Sequence, residues 1–351
     1  MLFWDKILPH LKQLILSTLL LLSAYANAQY TNLVLEGGGL KGLAYTGAIE
    51  VLDSMGITQN IENVAGTSSG SMNALLIALG YSGNEIKHIN LETNFGRYNQ
   101  VGVPMISGIA RLRKSYGYYK TDRFVEDLGK LITAKGYSVN LTFDELYQAK
   151  MDGKNVKLLY ITGTNLTDQR VEIFSHKTYP SMRILDAVRI SISIPFYFEA
   201  VFMQPDGSLI DKKKADSSTK VMVDGGVLDN YPFYIFDTLT TVNNGANSYY
   251  KCNLNTLGLK LELDSSRIDI APKSVKKYSD FLTAFSYLSS EYLNRRHLGK
   301  EQKCQTIFIN TQGFNPKVRK LSKQKKIAVM SYGKAAALYY FSHQYYAFPF
   351  S

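Results

Sequence analysis

The stretch "IENVAGTSSGSMNALLIALG" (61–80) decides how the rest of this chain is read. Its first six residues have the composition of a short buried strand, and SMNALLIALG (71–80) that of a helix ended by glycine. Between them Gly66, Ser68 and Gly70 form G-x-S-x-G, set where a strand turns sharply into a helix. That motif needs this context for its serine to project above a sheet. Glycine is required on both sides because the turn is tight, and a Cβ at either place would meet neighbouring backbone. Ser68 is therefore a candidate nucleophile, though a hydroxyl is a poor one until a base takes its proton.

Upstream, "NLVLEGGGLKGLAY" (32–45) runs an apolar strand into three glycines, Lys41, Gly42 and the start of a helix spanning 42–56. Gly37, Gly39 and Gly42 spell G-x-G-x-x-G, which invites a nucleotide-binding, Rossmann-type reading. The same geometry also aims backbone N–H groups at any oxygen that carries negative charge. A Rossmann unit wants an acidic residue at the end of its second strand, and here that strand ends in AGTSSG while Glu50 and Asp53 lie in the intervening helix. No phosphate-loop signature rescues the alternative, since Gly42 is followed by Leu43. An oxyanion-binding loop is the better match.

Downstream the pattern predicts helices at 84–95, 121–136 and 142–150, the last two capped by Thr121 and Thr142, and a core strand at 156–166. A helix at 184–195 is broken by Pro195, and YFEAVFM and STKVMVDGG bracket a turn at 205–207. Strands at 256–263 and 305–310, a long helix around 274–298 and a terminal helix from about 322 to 343 complete the chain. Strands separated by helices indicate an α/β fold with a doubly wound, largely parallel sheet. In "VMVDGGVLDNYP" (221–232) Asp224 ends a strand, and Gly225 and Gly226 let the backbone bend and another segment approach. Taken alone, Asp224 could equally be a turn or cap residue.

The five histidines stand at 10, 88, 176, 297 and 343, none in the place where an ordinary α/β-hydrolase carries its base, although His297 and His343 stay open. There is no H-E-x-x-H and no Cys/His cluster, so neither a metal nor another cofactor is called for. With 351 residues, 45% apolar and 20% charged, the chain can bury a large core, and the absence of repeats or low-complexity linkers favours one domain. Lys6 and Lys12, the apolar run 14–22 and "ANA" (26–28) have the form of a signal peptide cleaved after Ala28. A single domain over 29–351, exported to a periplasm or to the medium, is expected. Export would allow Cys252 and Cys304 to pair; two buried thiols is the competing expectation.

The formal net charge of +11 favours anionic partners, with basic residues gathered at Arg111, Arg113 and Lys114, at 212–214 and at 317–326. For an exported protein an anionic membrane fits this better than nucleic acid does. The segment 97–120 mixes apolar, aromatic and basic residues, as a lid, an interfacial contact or a plain surface excursion would.

Taken together and in order, GGGLKG, GTSSG, SISIPFYF and DGGVLDNYP resemble the motifs of the patatin-like phospholipases. The resemblance covers about 31–235 and extends toward the strand near 310. It implies a three-layer α/β sandwich around a mainly parallel sheet and a Ser–Asp dyad without histidine. By position, Ser68 matches the nucleophile and Asp224 its partner, and Gly37, Gly38 and Gly39 match the oxyanion loop. The N–H of Ser69, the residue after the nucleophile, would be a further donor. Lys41, with Gly42, falls where the family has Arg or Lys; there it would shape the loop or point outward into solvent. Asn230 and Pro232 fit the continuation after DGG as loop-shaping residues. RISIS stands where the family often begins Ala-Ser, which leaves Ser191 without an assigned role. The implied substrate is a phospholipid or other acyl-lipid ester, cleaved in the manner of phospholipase A or lysophospholipase. A non-phospholipid carboxylesterase or acyltransferase with the same dyad is the neighbouring possibility.

Overall fold

Strand β1 (Asn32–Leu35) is buried along its whole length and sits near the middle of a nine-stranded sheet. This is seen in a computed structural model that describes residues 30–99, 112–242, 247–262, 275, 281, 284 and 298–347. Next to β1 lies β2 (Asn63–Gly66), and beyond it β4 (Leu158–Asn165). On the other side come β12 (Thr256–Glu262) and β13 (Thr306–Asn310). These five strands are parallel throughout. Strands buried on both faces read as continuous apolar runs, which is why NLVL, LLYITGTN and TIFIN stand out in the sequence.

Past β4 the sheet changes direction. There β9 (Lys220–Asp224), β7 (Val201–Met203) and β8 (Leu209–Ile210) follow one another antiparallel, and β5 (Arg170–Phe174) forms an antiparallel hairpin with β4. Two small ladders stand apart: β3 (Gly117–Tyr119) with β6 (Phe196–Phe198), and β10 (Thr238–Val242) with β11 (Asn247–Lys251). The expected α/β class with a mainly parallel central sheet is what the structure has, with antiparallel strands at one margin.

The register along β4 brings the site together. Leu158 to Ile161 pair with β2, ending at Gly66 opposite Ile161. Gly163 to Asn165 pair with β9, which runs the other way and ends at Asp224 opposite Gly163. Because β5 takes the other edge of β4 from Ile161 to Asn165, β2 and β9 share one edge and meet head to head on it. Their ends are two positions apart along β4, about 7 Å of strand.

Helices cover the sheet. The helix Leu43–Ser54 packs against the C-terminal helix Lys323–Ala347, and their backbones touch at glycines. A Cβ on Gly47 would strike the Met330 carbonyl, and one on Gly333 the Ala44 carbonyl. Helix Phe143–Met151 begins with a capping box, Thr142 and Glu145 bonding reciprocally to the first turn. Thr121 differs from expectation. It sits at αR dihedrals rather than the extended ones a capping hydroxyl needs, and its Oγ1 accepts from Arg189 at 3.2 Å instead of capping helix Asp122–Ala134. The helix expected to reach Pro195 ends at Ser191, freeing the following residues for the site.

The two cysteines do not pair. Cys252 donates to the Gln305 side chain at 3.2 Å and Cys304 is exposed, so the disulfide expectation fails on geometry. No described helix is long and apolar enough to cross a membrane. Residues 1–28, read from the sequence as a signal peptide, and nearly all of the helix expected at 274–298 lie outside the described residues.

Candidate active site

Ser68 has φ +52° and ψ −121°, a backbone conformation that costs a non-glycine residue on the order of 1–3 kcal/mol. The surroundings enforce it. Gly70 N–H donates to the Thr67 carbonyl at 2.7 Å and Ser71 Oγ to the Ser68 carbonyl at 2.7 Å, closing the first turn of helix Ser69–Ala78. The two motif glycines are there for contact: a Cβ on Gly66 would meet the Gly70 carbonyl, and one on Gly70 the Leu35 carbonyl of β1. Thr67 Oγ1 shares a 2.6 Å hydrogen bond with Thr162 Oγ1 of β4, which fastens the elbow to the sheet.

Ser68 Oγ donates to Asp224 Oδ2 at 2.7 Å across 156 positions of sequence. The other carboxylate oxygen accepts from Gly226 N–H at 2.7 Å, at the start of the 3-10 turn Gly225–Val227. Asp224 therefore fills both roles open to it in the sequence, turn cap and serine partner. It is 4% exposed, and burial pushes its carboxyl up to about 7 against the opposing pull of its bonds to Ser68 and Gly226. Two of the described histidines are engaged elsewhere: His176 stacks on Tyr147, and His343 bonds to Ser342 and the Tyr339 carbonyl within its own helix. His297 lies outside the described residues.

A short segment behind the dyad holds both of its members. Ser191 Oγ accepts from Ser68 N–H at 2.9 Å, and the Ser193 carbonyl accepts from Asp224 N–H at 2.9 Å. Ser193 Oγ in turn donates to the Arg189 carbonyl at 2.7 Å, steadying the segment. Ser191 is fully buried, and its role is to satisfy the amide of a strained turn. The only trace of this in the sequence is a pair of serines two apart just before a proline.

The triglycine turn is anchored at both ends. Before it, the buried Glu36 pairs with Lys260 and accepts from Leu261 N–H at 2.6 Å. At Gly37 a two-way clamp forms: its N–H donates to the Asn230 carbonyl at 3.0 Å, and its carbonyl accepts from Asn230 Nδ2 at 2.9 Å. That corrects the expectation of Gly37 as an oxyanion donor, because its only N–H is spent on main chain. Gly38 N–H donates to Ser69 Oγ at 3.0 Å, a hydroxyl that can rotate away. Among the described residues nothing accepts from the N–H groups of Gly39 and Ser69. Lys41 is 4% exposed, which removes the outward, solvated alternative; its N–H closes the turn on the Gly38 carbonyl at 3.1 Å. Gly42 lets Ser69 come close, a Cβ there falling 2.9 Å from Ser69 Oγ.

Ser68 and Ser69 open onto a cavity of about 110 Å³ whose walls are mostly apolar, including Leu76, Ile89, Phe95, Leu128 and Ile192. Asn73 borders it as well, donating to the Ser69 carbonyl at 2.9 Å while its Oδ1 is without a partner among the described residues. No group of three His, Cys, Asp or Glu side chains among the described residues could hold a metal ion.

The sheet is thus an α/β architecture with a serine elbow at the end of β2 and a buried acid at the facing end of β9. The family model "Patatin-like phospholipase" matches residues 33–237, and the chain belongs to that family. It is similar to YqhO of Bacillus subtilis, 28% identical over 312 residues, covering 87% of this chain and 96% of that protein. It is also similar to "Probable lipid hydrolase 463L" of Invertebrate iridescent virus 6, 29% identical over 212 residues, 59% of this chain. The chain spans only 63% of that viral relative's length. Among solved structures VipD of Legionella pneumophila shares the fold, with a TM-score of 0.50 at 17% identity, over 90% of this chain and 67% of that one.

Proposed function

We propose that this protein is an exported acyl-lipid hydrolase of the phospholipase A or lysophospholipase type that works through a Ser68–Asp224 dyad. The observation that carries the reading is the 2.7 Å bond from the hydroxyl of Ser68, which lines an apolar cavity, to a buried carboxylate. Family membership and the likeness to a viral protein named as a lipid hydrolase support the substrate class. In this reading the first 28 residues are a signal peptide.

Acyl transfer proceeds in two steps. Asp224 takes the Ser68 proton as Oγ bonds to the ester carbonyl carbon, and the carbonyl oxygen becomes an alkoxide. Fixed N–H donors stabilise that charge more than they stabilise the neutral ester. Gly38, Gly39 and Ser69 supply them, the first after its present partner, the Ser69 hydroxyl, turns aside. One such donor typically lowers the barrier by about 2.7–4 kcal/mol. Collapse breaks the bond to the leaving alcohol, which receives the proton from Asp224 and departs. Water then gives a proton to the same carboxylate, attacks the acyl-enzyme and releases the fatty acid, restoring the Ser68 hydroxyl. An acid with its pKa near 7 suits a group that must accept and return a proton near neutrality.

Fatty-acid release from phosphatidylcholine, lysophospholipid, monoacylglycerol and a short nitrophenyl ester tests the proposal. Wild type should release acid from at least one lipid ester and Ser68→Ala from none. Undiminished release by Ser68→Ala would refute it, and analysis of the products separates hydrolysis from acyl transfer to a second alcohol.

A further inference from the structure

The β3–β6 ladder carries an unusual surface. Tyr116, just ahead of β3, and Phe196, the first residue of β6, are 46% and 43% exposed. Both also have left-handed backbone, φ +62° and +65°. A bulky side chain at positive φ is costly, and glycine or asparagine would occupy either place more easily. The register sets Gly117 opposite Phe196, which places both aromatics on the one ladder, and the Tyr116 ring lies 6.2 Å from that of Phe202. Strained aromatic residues this far exposed contribute little to the core, and strain of this sort gathers at functional surfaces.

The surroundings are basic. Lys212 Nζ lies 3.7 Å from the centroid of the Tyr116 ring and 5.6 Å from that of Phe202, which sets the turn Lys212–Lys214 against Tyr116. Lys213 and Lys214 are exposed, as are Arg113 and Lys114 one short turn before Tyr116. Among the described residues none of these four forms an ion pair. The carboxylates flanking the turn are engaged: Asp211 caps it by accepting from the Lys213 backbone N–H at 2.8 Å, and Asp216 accepts from the Ser218 backbone N–H at 2.9 Å. The patch also adjoins the cavity: Ile194 and Phe198, two residues to either side of Phe196, both line it.

We propose that this aromatic and basic patch is the surface by which the protein docks on an anionic lipid bilayer, holding the Ser68 cavity toward its ester. The biological purpose rests on the acyl-lipid reading above; the binding itself does not. An occupant with negative charge above an apolar layer satisfies both halves of the patch, the lysines facing phosphate and the rings entering the headgroup region. An acidic polypeptide would satisfy the lysines and leave the rings wet.

Sedimentation with phosphatidylcholine vesicles, with and without phosphatidylglycerol, tests it, using Ser68→Ala protein so that no lipid is consumed. The protein should bind the phosphatidylglycerol vesicles preferentially and lose affinity as salt is raised. Lys213→Glu with Lys214→Glu should weaken that binding by about ten-fold or more, and Tyr116→Ser with Phe196→Ser should weaken it even at low salt. In the active background both double variants should keep their rate on the soluble nitrophenyl ester. If the aromatic variant does not fold, the exposed lysine pair decides the matter. Equal binding to both vesicles, or unaltered binding by the lysine variant, overturns the proposal. So does a lysine variant that loses affinity for an oligonucleotide or an acidic polypeptide while vesicle binding stays put. A wild type inactive on every ester would defeat the hydrolase reading and leave the vesicle result standing.

Discussion

The turn that carries Ser68 and the strand end that carries Asp224 lie on the same edge of β4, yet they are made differently. The serine side is assembled within a few residues: two glycines, a backbone bond across the turn and a hydroxyl on the next helical turn set its geometry. The acid side exists only because β9 arrives antiparallel and stops opposite Gly163. Between them the segment 191–193 bonds to the amide of each. In the proposed reading the nucleophile is thus specified by local sequence, whereas its base is specified by topology. Substitutions should separate the two sides.

The largest effect should come from the acid. Asp224→Asn keeps the shape and removes the proton acceptor, and kcat should fall on the order of 10⁴-fold. Stability should move the other way. A carboxyl raised to about 7 in the folded protein and near 3.8 when unfolded favours the fold below the lower value and loses that contribution as pH climbs through the upper one. Asparagine carries no such charge, so thermal melting of Asp224→Asn relative to wild type should rise between pH 5 and pH 8, by an increment on the order of a few kcal/mol at most. A constant difference across that range would mean that burial does not perturb the acid.

Next comes the clamp on the glycine turn. Asn230→Ala removes the Nδ2 bond to Gly37 and leaves the backbone bond intact. A displacement of the oxyanion donors by an ångström costs about 10²-fold, and this should appear in kcat with KM little changed. A rise in KM alone would place Asn230 in substrate binding instead. The smallest effect belongs to the segment 191–193: Ser191→Ala deprives Ser68 N–H of its acceptor, costing about 1–3 kcal/mol of stability. Its kcat should drop roughly ten-fold, a loss equivalent to about 1.4 kcal/mol. Ser191→Thr, which keeps the hydroxyl, should recover much of it.

The same contrast explains what could be read in advance. The parallel strands, the elbow and the glycine turn each announce themselves in contiguous residues, because their geometry depends on near neighbours. Asp224 was recognisable from the strand end and its two glycines, with the family resemblance supplying the partner. What escaped was whatever depends on distant contacts: the antiparallel margin, the service of Ser191 to an amide 123 positions away, and the diversion of the Gly37 N–H to Asn230. Lys41 shows the hazard in the other direction. A lysine among glycines leaves a loop-shaping and a solvated place equally open, and the fold closes over it. The cysteines gave no local sign either way, and only the placement of Cys252 beside Gln305 shows that it is engaged elsewhere.

The pH dependence of covalent labelling by a fluorophosphonate, followed by mass spectrometry of the intact protein and of its peptides, is the most direct test of a serine activated by a buried carboxylate. The adduct should sit on Ser68, its rate should rise with pH about a midpoint near 7, and Asp224→Asn should label far more slowly with no such midpoint. An adduct on another residue, or one formed on Ser68 just as fast without the carboxylate, would contradict the account.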